Sequence, residues 1–184
     1  MSVRKIVMYG DPVLRTVGAK LAGVTDEVRL FAKDLLETMV AADGVGLAAQ
    51  QVGVAWQMAV IDVSGIEDRP SAMWVNGEKV KVEEFMPLVL INPEVELGDV
   101  KESGTEGCLS FPKLQAEILR AARVRCRAMT LDGKEMVFDA EGLLARAVQH
   151  EVDHLNGVLF IDRMSSAKKA SLAGKLKRLQ REWS

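Results

Sequence analysis

The amino-acid sequence predicts an α+β fold, with mixed or antiparallel sheets around a central helix and further helices in the N-terminal half and at the C-terminus. Helical and strand patterns do not alternate regularly enough for a doubly wound parallel sheet. The chain has 184 residues and no internal repeat or linker, which indicates a single catalytic or binding domain over residues 1–184. A hydrophobic content of 48% and a charged content of 27% are typical of globular proteins.

The first helix is predicted over residues 25–42. Thr25 is a suitable N-cap, and the two acidic residues after it lie in the first turn, where negative charge is favoured. Apolar residues then recur at helical spacing. The pair at 43–44, Asp-Gly, is expected to end the helix.

Strands are predicted over residues 57–63, 87–91 and 123–131, which are rich in β-branched or apolar residues and bounded by turn-forming residues. Residues 64–84 are interrupted by Gly and Pro, so they form either a loop or a hairpin. Cys126 alternates with arginines, as expected for a strand residue that faces inward.

A second helix is predicted over about 141–156, with Gly157 where a helix often ends on a left-handed residue. A third is predicted over residues 166–182. This C-terminal helix is basic, through Lys168, Lys169, Lys175, Lys177, Arg178 and Arg181. A solvated charged face is the simplest interpretation of that pattern.

The bulk properties exclude several classes of protein. No stretch approaches the ~20 consecutive apolar residues of a membrane span, and residues 1–5 lack the apolar run of a secretory signal. A formal net charge of −2 gives no direct indication of nucleic-acid binding. With only two cysteines the chain suits a reducing compartment, so a cytoplasmic location is expected.

The strongest chemical pattern is H-E-x-x-H inside the second predicted helix. His150 and His154 are the only histidines of the chain, and their i, i+4 spacing puts both rings on one helix face. Two such rings with Glu151 between them are typical of a catalytic metal site. The alternative is a surface helix with incidental histidines.

A catalytic metal site needs a third protein ligand and an open position for water. No further histidine is present, and Glu182 is the only glutamate after the pentad. Cys108 follows a glycine and precedes a proline by four residues, so an irregular or extended segment can present its thiolate. A small buried apolar residue is the alternative interpretation of Cys108.

A segment of small residues, 44–53, follows the first helix and contains two neighbouring amides, Gln50 and Gln51. It lacks the G-K-[ST] ending of a phosphate loop. A side-chain amide can donate to a developing oxyanion, whereas a tight turn under a strand is the plainer interpretation.

Together these segments resemble peptide deformylase. The family patterns G-x-G-x-A-A-x-Q, E-G-C-x-S and Q-H-E-x-D-H occur in that order at residues 44–51, 106–110 and 149–154, and residues 11–15 resemble the family's opening. The resemblance implies a metal held by one Cys and two His, a glutamate as general acid/base, and an oxyanion site built from an amide side chain and a backbone N–H. Carried over by position, these are Cys108, His150 and His154, then Glu151, then Gln51 with the N–H of Leu109.

The implied reaction removes the formyl group from N-terminal N-formylmethionine of newly synthesised polypeptides and releases formate. A bound metal lowers the pKa of its water toward ~7, so hydroxide can attack the formyl carbon while Glu151 transfers the proton to the leaving amine. Fe²⁺ is implied as the native metal, with Zn²⁺, Ni²⁺ or Co²⁺ as replacements. The family also suggests that the basic C-terminal helix docks on the ribosome.

The methionine side chain requires an apolar pocket beside the metal. Arg146 falls in this region, and its stem is expected to line the pocket while its charge reaches water. The pocket residues implied by alignment with the family are Val45, Gly46, Gly107, Leu143 and Ala147.

Two other functions share part of this pattern. A metalloprotease of the H-E-x-x-H type would cut internal peptide bonds, but it does not account for Cys108 or the loop at 44–51. A purely structural metal would need a fourth protein ligand, for which Cys126 is the remaining soft candidate. Such a site has no use for Glu151 or Gln51.

Overall fold

The α+β class predicted from the sequence is confirmed by the computed structural model, which describes residues 2–183. Within that range there are nine strands and four α-helices. The strands are β1 Gly46–Ala48, β2 Met58–Ile61, β3 Ser71–Val75, β4 Glu78–Val80, β5 Leu88–Leu97, β6 Lys101–Cys108, β7 Phe111–Ala121, β8 Arg123–Met129 and β9 Glu135–Gly142. The α-helices are α1 Asp26–Ala41, α2 Leu143–Leu155, α3 Ser166–Ser171 and α4 Ala173–Trp183.

Seven of the described strands form one sheet in the order β1-β2-β5-β8-β9-β3-β4, and β6 pairs with β7 in a separate hairpin. Every pair of neighbouring strands is antiparallel. The predicted strands correspond to β2, β5 and β8, which lie side by side in this sheet. Residues 64–84, for which the sequence predicts either a loop or a hairpin, contain the hairpin β3–β4.

Helix α1 forms as its sequence pattern predicts. The Thr25 hydroxyl accepts a hydrogen bond from the Val28 N–H at 3.3 Å, which satisfies one unpaired donor of the first turn. The helix buries Phe31, Leu35 and other apolar residues against β1 and β2. It ends before Asp43, which has a positive φ of 54°.

Helix α2 is the central element because it packs against strands of the main sheet and against β7 of the hairpin. It begins at Leu143, two residues later than predicted, since Glu141 and Gly142 still pair in β9. Gly142 has a φ of 70°, and the carbonyl of Pro70 leaves no room for a Cβ there. Gly157, with a φ of 72°, lies just beyond the helix end as predicted.

The prediction of one helix over residues 166–182 is wrong. Two helices, α3 and α4, are separated at Leu172. None of the α3 residues is buried, whereas Leu172, Leu176 and Leu179 pack into the apolar cluster around β7 and Phe160. Only the second helix buries an apolar face, through Leu176 and Leu179.

Among residues 2–183, no helix combines the length and the apolar character needed to cross a lipid bilayer.

Candidate active site

A cavity of about 730 Å³ opens where three parts of the fold meet. One wall is the loop that leads from α1 into β1, the second is the hairpin β6–β7, and the third is α2. Every residue that the family resemblance placed in a substrate pocket lines this cavity, namely Val45, Gly46, Gly107, Leu143 and Ala147.

Cys108, His150 and His154 come together beside this cavity, and Cys108 and His150 line its wall. One donor atom from each of the three lies within 4.8 Å of the other two. The Cys108 Sγ is 3.4 Å from the His154 Nε2. The two histidines follow one another on α2, whereas Cys108 ends β6 at a register shift that turns the strand. The site is therefore built from a helix and a strand end that are distant in sequence.

The donor set fits a divalent metal of the first transition row. A thiolate and imidazoles are ligands that Zn²⁺ and Fe²⁺ accept. The Nδ1 of His150 is 2.9 Å from a Glu106 carboxylate oxygen, so this contact orients the ring and leaves Nε2 for a metal. Burial and the neighbouring His150 lower the pKa of His154 well below its usual range, which favours the neutral imidazole that binds metals.

Glu151 lies beside this cluster with an unsatisfied carboxylate oxygen. Its Oε2 is buried and has no hydrogen-bond partner among the described residues. Burial raises the pKa of Glu151 to about 7, so both protonation states are accessible near neutral pH. Gly46 provides the room for this carboxyl, because a Cβ at Gly46 would lie 2.9 Å from the Glu151 Cδ.

The two neighbouring amides of the small-residue segment point to different places. The Gln51 Nε2 donates to the Ser110 Oγ at 3.2 Å and lies 3.6 Å from the Cys108 Sγ. Its Oε1 accepts from the Ala48 N–H, which fixes the orientation of the amide. The Gln50 Nε2 instead donates to carbonyl oxygens in the interior, including that of Leu155. Only Gln51 therefore faces the cluster.

Leu109 follows Cys108 in the cavity wall. It is half-buried and packs on the small-residue segment, because a Cβ at Gly44 would come within 2.8 Å of its Cδ1. Leu109 follows Cys108 directly in the chain and lines the same cavity as Gln51. The structure thus brings together every residue for which the sequence suggested a catalytic role.

The expectation that the charge of Arg146 reaches water is wrong. Arg146 does line the cavity, but its side chain is only 11% exposed. Its guanidinium turns toward the hairpin β6–β7 and forms an ion pair with Glu106 at 2.8 Å. The partner of the Arg146 guanidinium is thus a buried carboxylate and not water. The position of Arg146 in the helical pattern gave no indication of this partner.

Sequence reasoning missed the buried ion pairs behind His150. Arg120 donates to both carboxylate oxygens of Glu106 at 2.9 Å and also binds Asp153. Although burial raises the pKa of Glu106, hydrogen bonds from His150 and Arg120 outweigh it and hold this pKa well below its usual range. The sequence did contain one indication of these ion pairs. Arg120 occupies one of the alternating buried positions of β7, where an unpaired charge is costly, so a buried acidic partner is expected.

Comparison with known proteins gives a consistent result. The family model described as polypeptide deformylase matches residues 3–170. The peptide deformylase of Methylacidiphilum infernorum is 44% identical over 179 residues, which is 97% of this chain and 94% of that relative. That of Alkalilimnicola ehrlichii is 42% identical and covers 99% of this chain and 93% of its own length.

Solved structures agree with these relatives. The crystal structure of peptide deformylase from Ehrlichia chaffeensis matches with a TM-score of 0.82 and 34% identity, covering 98% of each chain. The one from Thermotoga maritima matches with a TM-score of 0.77 and 36% identity, covering 90% of this chain and 99% of that one.

Proposed function

Because this chain belongs to the peptide deformylase family, we propose that the residues around the cavity carry out the family reaction as follows. The enzyme is a metal-dependent hydrolase that removes the N-formyl group from nascent peptides.

Cys108, His150 and His154 would hold the metal. The closeness of their three donor atoms, within 4.8 Å, is the observation that carries this assignment. A divalent metal bound there supplies Lewis-acid chemistry, lowering the pKa of water and polarising the formyl carbonyl. Fe²⁺ is proposed as the native metal, with Zn²⁺, Ni²⁺ or Co²⁺ as replacements, since this donor set accepts all four.

Glu151 would act as the general acid/base. Its unpartnered Oε2 is positioned to accept a proton from the attacking water, and a carboxyl pKa of about 7 allows the same group to return that proton. The proton then goes to the amine nitrogen as the bond to the formyl carbon breaks. Formate and a free amino terminus result.

Gln51 and the N–H of Leu109 would stabilise the negative charge that develops on the formyl oxygen. The Gln51 amide is already oriented by its bond to the Ala48 N–H, so little reorganisation is needed when the charge appears. Removal of one such donor typically costs about 2.7–4 kcal/mol of transition-state stabilisation.

The methionine side chain would enter the cavity between α2 and the loop before β1. The proposed lining is small or apolar, which suits a flexible thioether, and consists of Val45, Gly46, Gly107, Leu143 and Ala147.

We further propose that residues 1–184 act as one catalytic domain in the cytoplasm. The basic side chains of α3 and α4 are exposed, while Leu176 and Leu179 of α4 are buried. This charged face supports docking on the ribosome. Deleting residues after Ser165 and measuring co-sedimentation with ribosomes tests it, and unchanged co-sedimentation would remove the idea.

Formate release from an N-formyl-Met tripeptide tests the catalytic proposal. Anaerobically purified protein is compared with Glu151→Ala and Cys108→Ala, and the metal content of each is determined. Glu151→Ala is expected to keep its metal and lose activity, while Cys108→Ala loses or alters metal binding. A fully metallated wild-type protein that releases no formate would contradict the proposal, and cleavage of internal peptide bonds would favour a protease.

The structural-metal alternative finds no support in the described residues. Cys126, its only remaining soft ligand, is fully buried in β8, where it pairs with Val95 and Phe138 in the main sheet. Among the described residues, the group that could hold a metal consists of Cys108, His150 and His154 and does not include Cys126. Three ligands with a cavity beside them are typical of a catalytic site.

A further inference from the structure

Arg146 links helix α2 to the hairpin β6–β7. Its guanidinium donates to the carbonyl oxygens of Glu102 at 2.9 Å and Ile118 at 2.8 Å, and to the Glu106 Oε2 at 2.8 Å. The partners lie on both strands of the hairpin. Because a guanidinium presents its donors in a rigid plane, these contacts fix the hairpin against the helix in one position.

The hairpin is shaped to receive this guanidinium. At Gly104 on β6, an added Cβ would lie 2.9 Å from the Arg146 Cζ. Any residue other than glycine would therefore push the charged group out of its place. Gly104 pairs with Ile118, so the space lies directly over the hairpin's backbone.

Arg146 and His150 lie one helical turn apart and reach the same carboxylate. The His150 Nδ1 contacts the Glu106 Oε1 at 2.9 Å, while Arg146 binds the other oxygen. Arg120 donates to both oxygens of the same carboxylate. Without Arg146, Glu106 would keep Arg120 as its only arginine partner on this carboxylate, and its contact with His150 would be less firmly held.

We propose that Arg146 is a positioning residue, which holds Glu106 and the hairpin in the geometry that orients His150 toward the metal. The inference rests on the proposed metal site at Cys108, His150 and His154. Arg146 touches neither the metal ligands' donor atoms nor, in this role, the substrate. It acts through a carboxylate that orients a metal-binding ring, a type of contact whose loss commonly weakens metal binding.

The first test measures the rate at which zinc-loaded protein loses its metal to an excess of chromogenic chelator. Arg146→Met keeps the aliphatic stem and removes the donors, so release is expected to become about tenfold faster. Arg146→Lys keeps the positive charge but lacks the planar set of guanidinium donors. Its zinc release rate should therefore lie between those of the wild type and Arg146→Met. Gly104→Ala, which leaves Arg146 in the chain but displaces it, should also release zinc faster.

Arg69→Met is the matched control. Arg69 lines the same cavity and donates to the Thr105 carbonyl of the same hairpin at 3.0 Å, but it does not contact Glu106. Its zinc release rate should equal that of the wild type. A folded Arg146→Met protein with a wild-type release rate would overturn the proposal, as would an equal acceleration in Arg69→Met.

A measurement on metal-free protein separates this inference from the metal site itself. The Nδ1 proton of His150, shared with Glu106, is expected as a slowly exchanging NMR resonance in the wild type and in Arg69→Met. It should exchange faster in Arg146→Met and Gly104→Ala. If wild-type protein binds no zinc, the proposed metal site fails, whereas an unchanged resonance in both variants refutes the role of Arg146.

Discussion

At the scale of single residues, the site depends on which of two similar side chains faces the cavity. Gln50 and Gln51 are adjacent and both buried, yet one donates to the interior and the other lies beside Cys108. Cys108 and Cys126 differ in the same way, since one lines the cavity and the other is enclosed in the main sheet. In both pairs the residue type is the same, and the surroundings of each side chain determine its role.

The two amides predict opposite phenotypes. Gln51→Ala should lower kcat by about 10²–10³-fold without changing metal content, because it removes a donor to the developing oxyanion. Gln50→Ala should instead lower the free energy of unfolding by about 1–3 kcal/mol, because interior carbonyls lose their donor. Formate-release kinetics and urea denaturation of both variants check this. A fully active Gln51→Ala would show that the assigned register is wrong.

The two thiols should differ in reactivity. Burial raises the pKa of the Cys126 thiol to about 12, so almost no thiolate forms there at neutral pH. Iodoacetamide should therefore label metal-free protein at Cys108 alone, and bound Zn²⁺ should protect that residue. Peptide mass spectrometry identifies the labelled site. Labelling of Cys126 in folded protein would contradict the burial argument, and urea-unfolded protein provides the control in which both react.

At the scale of elements, helix α2 and the end of β6 carry the site, and helix α1 supports it. Helix α2 supplies both histidines and Glu151, while the end of β6 supplies Cys108. Helix α1 contributes no donor, but it packs behind the small-residue segment that presents Gln51. Changes in α1 should therefore affect stability more than chemistry.

Thr25→Ala tests this division. Losing the hydroxyl that caps the Val28 N–H should cost about 1 kcal/mol of unfolding free energy. The turnover of the folded enzyme should not change, because the cap is not part of the cavity wall. Urea denaturation followed by circular dichroism measures the loss, and Thr25→Ser, which keeps the hydroxyl, is the control. A Thr25→Ser protein as unstable as Thr25→Ala would rule out the cap as the cause.

At the scale of the whole molecule, ion pairs connect elements that apolar packing brings together. Arg125 of β8 binds Asp139 of β9, and Arg15 binds Asp162 beside the apolar cluster of α4. Hydrogen bonds from Arg125 lower the pKa of Asp139. Burial raises the pKa of Asp162, but the hydrogen bonds from Arg15 and from the Leu159 N–H, with the charge of Arg15, together bring this pKa below its usual value.

The lowered pKa values of Asp139 and Asp162 predict that the folded protein loses stability in acid. A carboxyl whose pKa is lower in the folded state takes up protons more readily when unfolded, so its stabilising contribution is present above the unfolded pKa of about 4. That contribution is lost as the pH falls through the folded pKa. Urea midpoints of metal-free protein should thus drop steeply below about pH 4. Asp139→Asn should have a lower midpoint at pH 7 and converge with the wild type in acid, and a constant difference across the pH range would contradict this.

Much of the fold and of the candidate site could be predicted from local patterns along the chain. The i, i+4 histidines, the cap at Thr25 and the runs of β2, β5 and β8 depend on neighbouring residues, whose periodicity is visible in the sequence. Strand β9 escaped prediction because its charged positions, including Asp139, interrupt the apolar alternation. The least exposed of these charges, Asp139, lies opposite Arg125 of β8 and forms an ion pair with it.

The sequence by itself determined the fold class, the family resemblance and the residues offered for the metal and for catalysis. Only the tertiary structure decided where the C-terminal helix divides and what Arg146 binds. The physical reason is that periodicity reports which face of an element is buried but not what lies against it. The partners of Arg146 come from strands that are distant in sequence, and their positions depend on how the hairpin β6–β7 packs on α2.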